Sequence, residues 1–171
     1  MPPRLAPERD PMSVLRPITD EEYAAWLARA VPEYAQEKVT SGQWAAEAAL
    51  ALSRQEFEDL LPEGRDSPDN HLHTVLAPDG SSVGTLWFVV KERAGRRIAY
   101  VLDITIAPAH RRAGHAIRAF QALEDEAARL QLTGVALHVF GHNLAAQGLY
   151  AKLGYVATNV HMFKPLPGPG G

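Results

Sequence analysis

No cysteine occurs among the 171 residues. That excludes a thiol nucleophile, a disulfide framework and a cysteine-based zinc site, and it gives no sign of an oxidising compartment. Surplus charge is scarce as well: 17 Lys and Arg against 20 Asp and Glu leave a net charge of −3. The molecule therefore has no bulk attraction for nucleic acid, and any anion site must come from local clustering. No apolar run approaches the roughly 20 residues of a membrane helix, and no signal-peptide pattern opens the sequence. A cytoplasmic protein with neither nucleic acid nor membrane as partner is the default expectation. The patterns G-x-G-x-x-G and G-x-x-x-x-G-K-[ST] are both missing, so neither a dinucleotide dehydrogenase nor a P-loop kinase has support.

What is present is an ordinary globular balance, 46% apolar and 22% charged, in a length that suits one domain with a real core. Pro2, Pro3, Pro7 and Pro11 lie among mixed charges, which marks residues 1–12 as a flexible leader. A short strand is expected at 13–18, then a helix opened by Thr19 or Asp20 as N-cap with acids in its first turn. Helices are expected at 20–39, broken or kinked near Pro32, and at 43–60. From Leu72 the texture turns to strands: 72–76, 83–90 and 98–107, joined at Pro78-Asp79-Gly80-Ser81 and Arg93-Ala94-Gly95-Arg96-Arg97. A helix at 114–131, a strand at 134–140, a helix at 143–153 closed by Gly154, and a last strand at 155–164 complete the order β-αα-βββ-α-β-α-β. Residues 13–166 form the domain and 167–171 a flexible tail. The class is an α/β or α+β sheet with helices packed on it.

The helix at 114–131 has an apolar face of Ile117, Phe120, Leu123, Ala127 and Leu130. Its start is unusual. No Ser, Thr, Asp or Asn precedes it to cap the free N–H groups of the first turn. Gly114, Ala113 and Ala116 stand there instead, amid Arg111, Arg112, His115 and Arg118. Small residues, cations and bare amides suit a phosphate or pyrophosphate; a water-capped helix with a basic surface is the plain alternative. Strand, turn, helix and strand make a right-handed βαβ crossover, which binds ligands at the carboxyl ends of its parallel strands.

Arg111-Arg112-Ala113-Gly114-His115-Ala116 resembles the [QR]-x-x-G-x-[GA] acyl-CoA signature of the GNAT (GCN5-related) N-acetyltransferases. His142-Asn143-Leu144-Ala145-Ala146-Gln147-Gly148-Leu149-Tyr150-Ala151-Lys152-Leu153-Gly154-Tyr155 resembles the second motif, N-x-x-A-x-x-L-Y-x-x-x-G-[FY]. The resemblance covers 98–164. Tyr34-Ala35-Gln36-Glu37-Lys38-Val39, Gly42-Gln43-Trp44, Leu60-Leu61-Pro62 and His71-Leu72 are similar to a bacterial subgroup of unassigned substrate. Ala116 stands where Gly is commoner, and His115 where an aliphatic residue is usual. The resemblance implies a single-domain GNAT-like fold, a mixed central sheet with splayed parallel strands and helices on both faces. It implies acetyl-CoA as acyl-donor cosubstrate, its pyrophosphate held by the backbone N–H groups of Arg112, Ala113, Gly114, His115 and Ala116, with Arg111 also among the cofactor-binding residues. The strand edge at Ile104, Thr105 and Ile106 would pair with the pantetheine arm, Asn143 would hydrogen-bond it, Ala146 would be a further cofactor-binding residue, and Tyr150 would stand near the sulfur.

Acetylation of an amine needs a deprotonated nitrogen, a polarised carbonyl and a proton for the thiolate. Without cysteine to carry the acetyl group, direct attack in a ternary complex is the simplest route. Tyr150 is the candidate acid, or else a core tyrosine bonded to backbone. Alternation along 98–107 puts Ala99, Val101, Asp103 and Thr105 on one face. Asp103 is the candidate base, or else a carboxylate tied up by neighbours; His71, His73 and His138 are rivals. His71-x-His73 is also a conceivable metal pair, but no third ligand has a telling spacing, and no metal is expected. Tyr23, Trp26, Tyr34 and Trp44 read as core. Glu33, Glu37, Glu47 and Glu56 would either attract a cationic amine or form a solvated face. The expected partner is an amine-bearing small molecule, peptide or protein, and a homodimer stays open. The rivals are an idle acyl-CoA-binding regulatory domain and, against the net charge, a nucleic-acid module built on the arginines.

Overall fold

The computed structural model describes residues 14–169. The expected leader, 1–12, lies outside them, as do residues 170–171 of the expected tail. The elements are β1 (Leu15–Pro17), α1 (Asp20–Thr40), α2 (Ala46–Leu60), β2 (Asn70–Leu76), β3 (Ser82–Arg93), β4 (Arg96–Ile106), α3 (His115–Arg129), β5 (Val135–Leu137) and α4 (Leu144–Lys152). Among the described residues no helix is long and apolar enough to cross a membrane.

Thr19 is the N-cap of α1. Its hydroxyl accepts from the Glu22 N–H and the Glu22 carboxylate accepts from the Thr19 N–H, a complete capping box. Glu22 also holds Arg16 (2.7 Å) and takes a hydrogen bond from the Thr74 hydroxyl (2.7 Å), tying helix to sheet. Burial alone would raise the Glu22 pKa, but these donors and the Arg16 charge take it from 4.5 to about 2. The expected break at Pro32 does not occur: α1 runs unbroken through it. One lost amide bond is outweighed by tertiary packing, since Val31 and Ala35 beside it are buried.

The five strands lie in sequence order, β1 to β4 antiparallel and β5 parallel to β4. α1 and α2 cover one face through Ile18, Trp26, Val31, Phe57, Leu72 and Trp87. α3 covers the other, with Phe120 and Leu123 fully buried against Val75, Leu86, Phe88, Ala99 and Val101. Gly84 in β3 allows a close approach of β4: a Cβ there would lie 2.1 Å from the Thr105 carbonyl oxygen.

Two irregularities set the site. β4 bulges at Leu102: Val101 pairs with Phe88 and Asp103 with Trp87, so Leu102 has no opposite residue. The expected alternation fails there. Ala99, Val101, Ile104 and Ile106 all pack on the α3 side, whereas Leu102 joins the α1–α2 cluster and Asp103 is bonded to Trp26 of α1. Second, β5 pairs with β4 only at Ala99–Val135, Tyr100–Ala136 and Val101–Leu137. Beyond Val101 the two strands part.

The last expected strand, 155–164, is not formed. Tyr155 packs against Phe120 and Tyr150, but residues 156–169 carry no strand, and Val156, Met162, Phe163 and Leu166 are each at least 80% exposed. Alternating apolar residues supply strand propensity, but a strand also needs a neighbouring edge, and this segment meets none within the described chain.

Candidate active site

The parting of β4 from β5 opens a cleft through the sheet. It is lined by Val101, Leu102, Asp103 and Ile104 on one side, Leu137, His138, Val139 and Phe140 on the other, and Asn143, Ala146 and Tyr150 of α4 at its end. Beyond Val101, β4 keeps its ladder with β3 and is unpaired on its cleft edge. Ile104, Thr105 and Ile106 lie on this stretch, though the Ile106 carbonyl already accepts from Arg111 Nε (2.9 Å).

Asp103 reaches the cleft from the α1 side. Its Oδ2 accepts from Trp26 Nε1 (3.0 Å) and its Oδ1 from the Thr105 hydroxyl (3.3 Å). Burial dominates its electrostatics and raises its pKa above the ordinary carboxylate value; the Trp26 bond, the Arg29 charge and the Thr105 bond only moderate that rise. Arg29 is engaged by Glu33 one turn on (2.5 Å) and reaches Thr105 and Thr85 (each 3.5 Å).

Tyr150 reaches the cleft from the other side of the sheet. Its ring packs edge-on against Phe120, 5.5 Å between centroids. Burial, then the nearby Asp103 charge, push its phenol above the ordinary value of 10. The opening thus lets side chains from opposite faces of one sheet share a space.

The start of α3 is as bare as the sequence suggested. Gly114, in the left-handed conformation at φ +78°, is its N-cap with no side-chain cap, and a Cβ there would meet nothing within 4 Å. Arg112 is also left-handed (φ +63°). Ala113, His115 and Ala116 flank Gly114, and His115 Nδ1 lies 3.4 Å from Arg118. Open space over Gly114 and first-turn amides without a side-chain acceptor fit a pyrophosphate. Asn143 is instead a conventional cap: its Oδ1 accepts from the Ala146 N–H of α4 (3.1 Å), leaving its amide NH2 as the donor.

Of the rival bases, only His138 lines the cleft; burial first, then Lys38, lower its pKa. His71 and His73 stack face-on over Phe88 instead, and burial lowers the His71 pKa. No group of three or more potential metal ligands occurs among the described residues. Glu37 comes within 2.5 Å of His142 beside the cleft, and Glu33 lies close enough to Asp103 to affect its charge. The Trp26–Asp103 bond went unforeseen, because a tryptophan on an apolar helix face reads as core, which it also is.

Comparison with known proteins agrees with this geometry. An uncharacterized N-acetyltransferase of Bacillus subtilis (strain 168), YycN, is 35% identical over 153 residues, covering 90% of this chain and 98% of its own. A second from the same organism, YdgE, is 34% identical over 152 residues, covering 89% and 97%. The crystal structure of YycN superposes with a TM-score of 0.85 over 90% of this chain and 98% of its own. AAC(6')-Iy, solved with a bisubstrate analog of CoA and acetylneamine, shares the fold at 16% identity and a TM-score of 0.56, covering 90% and 97%. The description of the Acetyltransferase (GNAT) family matches residues 21–155. A chain with this open sheet, this bare helix start and these relatives belongs to the GNAT family and is an acyltransferase.

Proposed function

We propose that the chain transfers an acetyl group from acetyl-CoA to a primary amine by direct attack in a ternary complex. The observation that carries this reading is the cleft, with an unpaired strand edge on one wall and a half-buried carboxylate and phenol among its lining residues. Acetyl-CoA supplies the acetyl group as a thioester. Arg111, Arg112, Ala113, Gly114, His115 and Ala116 would hold the pyrophosphate, and Ile104, Thr105, Ile106, Asn143 and Ala146 the arm.

Asp103 accepts the proton of the incoming amine, directly or through one water. Its raised pKa makes it a stronger base than a solvated carboxylate. The amine nitrogen bonds to the acetyl carbon as the C–S bond breaks, and the Tyr150 phenol gives its proton to the sulfur. A phenol held above its ordinary value stays protonated for this step. Glu33 and Glu37, paired with Arg29 and His142 beside the cleft, would offer their carboxylates to a cationic acceptor, whether small molecule, peptide or protein. We place the reaction in the cytoplasm, where acyl-CoA is held.

One observation favours an idle acyl-CoA-binding domain: Asp103 already has two hydrogen-bond donors and resembles a satisfied structural carboxylate. Calorimetric titration with acetyl-CoA, followed by thiol release across a panel of amines, separates the readings. Binding with turnover supports transfer, binding without turnover on any amine supports the idle domain, and no binding of any acyl-CoA overturns both.

A further inference from the structure

On the α1–α2 side of the sheet the acids are engaged and four cations are not. Glu33 and Glu37 pair with Arg29 and His142, and the Glu56 carboxylate meets the Tyr34 phenol. Lys38, Lys91, Arg93 and Arg96 take part in no ion pair among the described residues.

Three of these cations come from the turn between β3 and β4. Trp87 packs against α1 and α2, and alternation from it puts Lys91 and Arg93 on that same face. The register sets Lys91 opposite Ile98 and Arg93 opposite Arg96. Two arginines directly opposed repel each other. The one acid of this turn, Glu92, stands opposite Arg97 on the α3 side and does not relieve them. Residues 91–97 are all exposed, and Lys91 Nζ rests 3.5 Å from the centre of the Tyr100 ring.

Lys38 brings the same charge to the cleft. Its Nζ lies over the rings of Tyr34 (5.4 Å) and Trp44 (5.2 Å) and donates to Gln43 Oε1 (2.9 Å). His138 on the cleft wall feels the Lys38 charge, and Tyr34 feels Tyr100. Aromatic rings thus hold two ammonium groups in place without neutralising either. Asp103 reaches the cleft from this side as well.

Distance decides what such a row can read. Along β4, Ile98 and Arg96 stand five and seven positions before Asp103, roughly 15–20 Å at about 3.3 Å per residue. A compact amine in the cleft does not reach that far, whereas an extended peptide rises at the same rate as the strand. A nucleic acid suits the row less, because Glu33, Glu37 and Glu56 on the same side and the net charge of −3 repel a continuous run of phosphates. Separate carboxylates fit between these acids.

We propose that the acceptor is a peptide or protein amine with an acidic flank, whose carboxylates about four to seven residues from the amine are held by Lys91, Arg93 and Arg96, and a nearer one by Lys38. The peptide's role as acceptor rests on the acetyl-transfer reading; its binding is measurable without turnover.

Two nine-residue peptides with free N-terminal amines test this, one with Asp and Glu at its fifth to eighth positions and one with Asn and Gln there. By fluorescence anisotropy the full chain should hold the acidic peptide about 10-fold more tightly at low salt, and the gap should close at high salt. Where thiol is released, KM should show the same ratio with kcat equal. Lys91→Met, Arg93→Met and Arg96→Met together should bring the ratio to one, and Arg93→Glu with Arg96→Glu should invert it; circular dichroism checks each fold. Equal affinity for the two peptides, a preference that survives the triple substitution, or tighter binding of oligouridylate that the same substitution abolishes would each overturn the proposal. A preference without thiol release would remove the transfer reading and support the row of cations; thiol release from both peptides without preference would do the reverse.

Discussion

The indole of Trp26 in α1 donates to the carboxylate of Asp103 in β4 at 3.0 Å, joining residues 77 positions apart. A buried aromatic cluster thereby fixes a cleft carboxylate, since the Trp26 ring also packs 5.3 Å from Trp87 and 5.7 Å from Phe57. A hydrogen bond to the ionised form favours ionisation, so Trp26 holds Asp103 below the pKa that burial alone would impose. Trp26→Phe should therefore move the acid limb of kcat/KM to higher pH, because more of the base is protonated at any given pH. Asp103→Asn should lower kcat by about 100-fold or more. pH–rate profiles of both variants check this, and an acid limb that instead disappears in His138→Ala would assign the base to His138.

Tyr150→Phe removes one hydroxyl and keeps the ring that packs on Phe120. The expected result is a fall in kcat on the order of 100-fold, with little change in the Kd for acetyl-CoA. Because the phenol is raised above its ordinary value, the parent enzyme should show no alkaline loss of activity from this group below pH 10. Single-turnover kinetics with calorimetry separates the two quantities.

Gly84→Ala sets a methyl group against the Thr105 carbonyl, where only 2.1 Å is free. Backbone cannot yield as a side chain does, so the cost should be about 2–3 kcal/mol, a drop in Tm on the order of 5–10 °C. The displaced backbone belongs to the 104–106 edge, so acetyl-CoA affinity should weaken as well. Thermal unfolding with and without acetyl-CoA measures both effects.

Glu22 titrates lower in the folded chain, near 2, than its ordinary 4.5. Its network therefore contributes fully above pH 4.5, and the contribution is lost as pH falls from there toward 2. Glu22→Gln should cost about 1–2 kcal/mol at pH 7, and the difference from the parent should shrink steadily below pH 4.5. Urea unfolding at pH 7, 4 and 3 tests the sign.

Elements whose cause is local were readable in advance. The Thr19 capping box, the spacing of Phe120, Leu123 and Ala127, and the bare start at Gly114 each depend on residues within a turn or two, and all are present. The cleft itself was readable through the resemblance of its two motifs. The bulge at Leu102 was not: Val101, Leu102 and Asp103 are ordinary strand residues, and the misfit arises only against Trp87 and Phe88 of β3. Trp26 and Asp103 meet for the same kind of reason, through packing of distant elements. The segment after Tyr155 has the pattern of a strand; whether an edge stands ready to pair with it is not a property of its own residues.

The extra residue at Leu102 changes the parity of β4. Apolar side chains fall at odd positions before it (Ala99, Val101) and at even ones after it (Ile104, Ile106), yet all four serve the same core. Polar residues at 103 and 105 are thereby released to the opposite surface without costing that core a contact. One strand thus offers two half-surfaces that can vary separately, one committed to the α3 core and one turned toward α1. Were Leu102 to pair in regular alternation, with no bulge, the two would exchange in a single step, sending a carboxylate against Phe120 and two isoleucines toward Trp26.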